Sequence, residues 1–281
     1  MDKNKINDLK ISGSGEVGGG QYKDVVISGS GKINGNIECD NFKISGSGKV
    51  DGTINCKDNF SISGSGKIIG GIVCDNISLS GSSKIEGDIQ ARSGHISGSS
   101  KIDGSITAEE FKVSGGAKIA NNLCIDTLYI SGGSAVGGKI EGKELKISGG
   151  VEVENSIEVE KFKASGVFRV NGMLNADSVS IQMDGRCEAK EIGASVIEVK
   201  DIYEKSIIKG LLSAFIKLAE RKLVVDVIEA DEIYLENTEA KVVRGNKVVI
   251  GPNCNIELLE YSGKLEKNEN SIIKNSNKIN K

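Results

Sequence analysis

Three kinds of side chain in this sequence could carry chemistry: regularly spaced cysteines, a single histidine and a file of lysines. Cys39, Cys56 and Cys74 lie 17 and 18 residues apart. Thiols brought into register could ligate a soft metal or close a disulfide. Ala91 and Ala108 continue the same spacing, however, and favour a lane of small inward-facing apolar residues. The remaining cysteines stand at 124, 187 and 254, and no C-x-x-C pair occurs, which argues against a zinc knuckle and for reduced thiols. His95 is the only histidine, with Arg92 nearby. A general base needs a partner, and no motif marks a Ser, Cys or Asp beside it, so His95 reads as a surface residue. No catalytic residue, cofactor or metal site is assigned.

Lys32, Lys49, Lys67, Lys84, Lys101 and Lys118 recur at one position of a repeating phrase, and Asp51, Glu86 and Asp103 follow two residues behind some of them. Like charges about 5 Å apart repel, so a solvated, cross-paired face that discourages edge aggregation is preferred over a polyanion stripe. The glycines could suggest a phosphate cradle. No G-x-x-x-x-G-K-[ST] pattern appears, and they recur throughout where a nucleotide site would occur once. Gly13 to Gly166 at one position, and Gly35 to Gly172 at another, therefore read as corners that need φ > 0 or are too tight for a Cβ.

What must position these residues is the phrase itself, I-S-G-S-G-K-I-x-G-x-I. Its leading apolar residue recurs eleven times from Ile11 to Ile181, with successive gaps of 16, 17, 18 and then seven of 17. A short fixed period marks a unit that buries its apolar face only by stacking on its neighbours. With the leading residue as position 0, apolar residues hold positions 0, 6, 10, 12 and 15, as in Ile27, Ile33, Ile37, Cys39 and Phe42; Cys187 falls at position 6 of its copy. Alternating β-branched residues punctuated by Gly predict short strands, since a helix would space them by three and four. Seventeen residues hold three such strands and three corners. The predicted fold is all-β, a three-sided parallel β-helix of about eleven coils spanning 11–201, rising about 4.8 Å per coil.

Composition agrees. The chain has 281 residues, 37 Gly, one Pro, no Trp and only 4% aromatics, as a narrow core of stacked Ile and Val requires. Net charge is −3, which gives no basic field for nucleic acid. Residues 1–10 form a polar N-terminal tail without the apolar stretch of a secretory signal, and no run of about 18 apolar residues predicts a transmembrane helix. A cytoplasmic protein is expected. The pattern breaks after residue 201. Ser206–Lys222 places Ile208, Leu211, Leu212, Phe215 and Leu218 at helical spacing, so 202–222 reads as an amphipathic helical insertion that docks on the solenoid, a partner or a membrane surface. Residues 223–262 read as final, irregular coils, and 263–281, rich in Asn and Lys, as a disordered tail.

The repeated phrase resembles the bactofilins, the bacterial polymer-forming cytoskeletal proteins. The block Glu229–Tyr261 (EADEIYLENTEAKVVRGNKVVIGPNCNIELLEY) resembles the closing segment of a longer bacterial branch of that family. The resemblance implies a right-handed β-helix that joins end to end into filaments without nucleotide and scaffolds cell-envelope or shape factors. This chain differs in its greater number of coils, its single Pro, its helical interruption and the lack of an apolar N-terminal anchor, so peripheral membrane contact has no support from the N-terminus. Self-association is expected at the solenoid ends, at Ile11 and Val17 and at Val248, Ile250 and Leu258. Two alternatives stand beside it. Hexapeptide acyltransferases also build three-sided β-helices, positions 0, 6 and 12 are six apart, and Ile250–Ile256 (IGPNCNI) reads as one hexapeptide turn. The period of 17 rather than 18, and the lack of an evident match for those enzymes' loop His, argue against them. A capped β-solenoid binding module is the other.

Overall fold

In a computed structural model, residues 7–201 and 221–280 are described. They form an all-β parallel solenoid of about 15 turns, about 17 residues apart, with no helix among the described residues. Twenty-four strands, numbered β1 to β24 in chain order, make it up. The chain divides into two compact units, Met1–Glu141 and Gly142–Lys281.

One coil of the first unit shows how the phrase folds. β11 (Ser99–Ile102) turns Ser100 and Ile102 inward. β12 (Ile106–Val113) turns Ile106, Ala108, Phe111 and Val113 inward, and two successive exposed residues, Glu109 and Glu110, break the alternation. Alternation in a strand has period two, so that break is a corner. With the corners near Gly98 and Gly104 it gives the coil three sides. β11 pairs in parallel with β9 (Ser82–Ile85) and β13 (Gly116–Ile119), which sets Ile102 against Ile85 and Ile119 and Lys101 against Lys84 and Lys118. β12 lies likewise between β10 (Ile89–Ile96) and β14 (Leu123–Ile130). Like residues therefore stack in columns, and Ile27, Ile44, Ile62, Ile96 and Ile102 are wholly buried.

The corners explain the glycines. At Gly98 a Cβ would sit 2.0 Å from the Gly81 carbonyl oxygen of the preceding coil. That corner closes because Ser97 and Gly98 donate to the Leu79 carbonyl at 3.0 and 3.1 Å, which draws the two backbones together. Close approach is the reason there; at Gly35 it is φ, at +107°.

The second unit is less regular. β19 (Val167–Met183) pairs with β20 (Arg186–Asp201) with Val170 opposite Ala189, a step of 19. Cys187 therefore falls beside Phe168 and Ala189 takes position 6, because the corner before it is two residues longer than the phrase predicts. β21 (Lys222–Leu235) pairs directly with β20. The expected helix lies outside the described residues except at its last two positions, and there Lys222 begins a strand. The steps from β21 to β22 (Thr238–Ile250) are 15 residues, as in Ile233 opposite Val248. The expected disordered tail is corrected by two further strands. β23 (Asn255–Lys267) runs past residue 263, and β24 (Ile272–Lys278) adds a coil, paired from Asn255 with Ile272 to Tyr261 with Lys278. Backbone pairing needs no apolar side chain, so a polar stretch can extend a preformed edge.

Candidate self-association site

The side chains that could do chemistry are all placed by this ladder. Lys32 to Lys118 form an in-register column on one face of the first unit, and Glu16 precedes it. Acids on the same face pair with it. Lys32 lies 2.8 Å from Glu16. Glu86 bridges Lys67, at 3.0 Å, and Lys84. Asp103 bridges Lys101, at 3.0 Å, and Lys84, at 3.8 Å. The two ammonium groups hold the Glu86 carboxyl at about 2, well below its ordinary value. The face is thus cross-paired, as the spacing of the acids predicts.

The cysteine lane faces inward. Cys39 stands opposite Cys56, and Cys74 opposite Ala91. The hydrogen bond with Cys56, then burial, pushes the Cys39 thiol up. Burial pushes Cys74 up to about 12. The Cys56 thiol donates to the Asn59 carbonyl at 3.0 Å and the Asp40 carbonyl at 3.2 Å. The Cys39 hydrogen bond moves Cys56 the other way, below its ordinary value, while Cys39 and Cys74, buried with raised thiols, are core side chains rather than nucleophiles. No group of three or more His, Cys, Asp or Glu among the described residues could hold a metal ion.

His95 has a partner that no sequence motif marked. Its Nε2 lies 2.9 Å from Ser114 Oγ, one coil on and across a corner. Ser114 Oγ lies 3.5 Å from the Ile96 carbonyl. With the hydroxyl proton directed at that carbonyl, the imidazole N–H donates to the serine oxygen, the arrangement of a surface hydrogen bond.

The ends differ from each other. β1 (Leu9–Ile11) and β2 (Ser14–Gln21) each have one neighbouring strand among the described residues, β3 (Asp24–Ile27) and β4 (Ser30–Ile44). Ile11 on β1 is buried, and Val17 on β2 is half-buried. Both lie on strands with one neighbour each among the described residues. Val248, Ile250 and Leu258 do not. Val248 and Ile250 are buried and face Leu265 and Lys267 of β23, and Leu258 faces Asn275 of β24. The last described strand is β24, where Ile272 is 63% exposed and Ile279, just beyond, is 41% exposed. Ile208, Leu211, Leu212, Phe215 and Leu218 lie outside the described residues. A faint signal could have found β24: Ile272 and Ile273 follow Asn255 and Ile256 by one period of 17.

Comparison with known proteins bears on this repeated coil. Residues 47–124 match the bactofilin family, described as polymer-forming cytoskeletal. This segment is a bactofilin domain. The bactofilin segment covers β5 (Ser47–Asp51) through the first residues of β14. The chain is also 40% identical over 108 residues to "Uncharacterized protein YhbE" of Bacillus subtilis (strain 168), a match covering 38% of this chain and 43% of that protein. It is 43% identical over 90 residues to "Uncharacterized protein YhbF" of the same organism, covering 32% of this chain and 34% of that protein. The matched stretch spans less than half the length of either relative. No solved structure matches. No helix among the described residues is long and apolar enough to cross a membrane.

Proposed function

We propose that this chain is a non-enzymatic structural protein that self-associates end to end into nucleotide-independent filaments, a cytoplasmic scaffold for cell-envelope or shape factors. The observation that carries this reading is the edge formed by the first described strands. β1 and β2 each have one neighbouring strand among the described residues, beside Ile11 and Val17, and an edge strand recruits another chain unless it is covered. Contact between two N-terminal edges is the first step. β24 provides the second joint, with one neighbouring strand among the described residues and Ile272 and Ile279 exposed.

Sedimentation at tens of micromolar tests it. Val17→Asp and Ile11→Asp should release smaller species while circular dichroism stays that of the wild-type solenoid. Val17→Asp is the more decisive, because Val17 is only half-buried. Wild-type protein that sediments as a monomer at low and moderate salt would overturn the reading.

A further inference from the structure

The first unit carries opposite charges on opposite sides of its triangular coil. The lysine column lies on the side formed by β5, β7 (Ser65–Ile69), β9, β11 and β13. The vertex facing it across the core is the corner at Asp40, Lys57–Asp58, Asp75, Arg92 and Glu109, where carboxylates recur from Asp24 to Asp126 and outnumber the two cations Lys57 and Arg92. Some of these charges are matched within the molecule: Asp75 takes Arg92 at 2.6 Å, and Glu110 takes Lys112 at 3.1 Å. Lys49 and Lys118 on the face, and Asp40 and Glu109 at the vertex, have no ion pair among the described residues. Lys118 follows Lys49 by 69 residues, and Glu109 follows Asp40 by the same 69. Both intervals are four coils of one ladder, so they span the same axial rise.

We propose that a second copy of this chain docks side by side, its acidic vertex along the lysine face of the first, with the unmatched lysines meeting the unmatched carboxylates. A lysine face repels its own kind, and the acidic vertex is the complement that selects the orientation. Face and vertex lie on opposite sides, so the contact is heterologous and continues into an open array. Each exposed pair is weak and screened by salt. Repetition along a filament multiplies the pairs, so lateral association rests in its strength on the end-to-end reading, though not in its chemistry.

The test is zero-length carbodiimide cross-linking of an equal mixture of isotopically light and heavy full-length chain at low salt, read by mass spectrometry, with electron micrographs of the same samples. Light–heavy cross-links joining Lys49 or Lys118 to Asp40 or Glu109 are expected. They should be lost at high salt and in the double variant Lys49→Glu/Lys118→Glu. They should return as side-by-side pairs in micrographs when that variant is mixed with Asp40→Lys/Glu109→Lys. Filaments in the lysine variant should persist singly, because the ends are untouched. Absence of those cross-links in wild type, or lateral pairs that survive salt or the lysine reversal, would overturn the proposal. If wild type forms no filaments, the end-to-end reading falls, while the light–heavy cross-links still decide the lateral contact between single molecules.

Discussion

Lys101 and Ile102 are neighbours in sequence that face opposite ways. Ile102 is 0% exposed in the core, whereas the Lys101 side chain is 52% exposed. Ile102→Asp buries an unpaired charge and should cost more than about 3 kcal/mol. Lys101→Ser should lower stability by less than about 0.5 kcal/mol, both measured by chemical denaturation. A second test lies at Ser134, a buried hydroxyl with no hydrogen-bond partner. Its lane neighbour is Ala117, so the backbone there accepts alanine. Ser134→Ala should raise stability by about 1 kcal/mol. Glu86 supplies a pH test. Its carboxyl sits at about 2 in the fold against an ordinary 4.5. The ionised form is favoured by folding, so its contribution is present above pH 4.5 and is lost as pH falls toward 2. Glu86→Gln should flatten the stability–pH curve in that window. At this scale positions 0, 6 and 10 were legible because their apolar identity persists. The inward lane two residues before position 6 was not. There Gly48 leaves room for Ile44, since a Cβ would sit 2.8 Å from Ile44 Cδ1, and the lane runs through Gly48, Ser100, Ala117, Val151 and Phe168 without a common character.

The strand and its corner are the elements whose spacing the repeat revealed. A corner glycine and a strand glycine separate the two roles. At Gly98 an added Cβ collides with backbone, and at Gly116 nothing lies within 4 Å. Gly98→Ala should destabilise by about 2–3 kcal/mol through forced separation of two coils. Gly116→Ala should be neutral or stabilise by up to about 1 kcal/mol, both read from thermal midpoints. Two elements were less legible. Cys187 missed its expected position because the corner before it is two residues longer, which a 17-residue repeat does not disclose. β24 hid behind an Asn- and Lys-rich composition because a strand added at an edge is held by backbone hydrogen bonds, and its side chains stay largely exposed.

For the whole molecule, the likeness to the bactofilins was readable from the phrase I-S-G-S-G-K-I-x-G-x-I, and the matched segment, residues 47–124, lies within the regular repeats. Ile11 and Val17 lie on the first described strands, and Val248, Ile250 and Leu258 are covered by later coils that composition alone did not disclose. The account rests on the ends of the solenoid meeting in solution. The measurement that reaches it most directly is negative-stain electron microscopy of the purified chain without nucleotide, beside the Val17→Asp variant at the same concentration. Filaments of wild type, unchanged by added ATP or GTP and shortened or lost in the variant, are the predicted result. Single, separate particles of wild type, or filaments that require nucleotide, would contradict it.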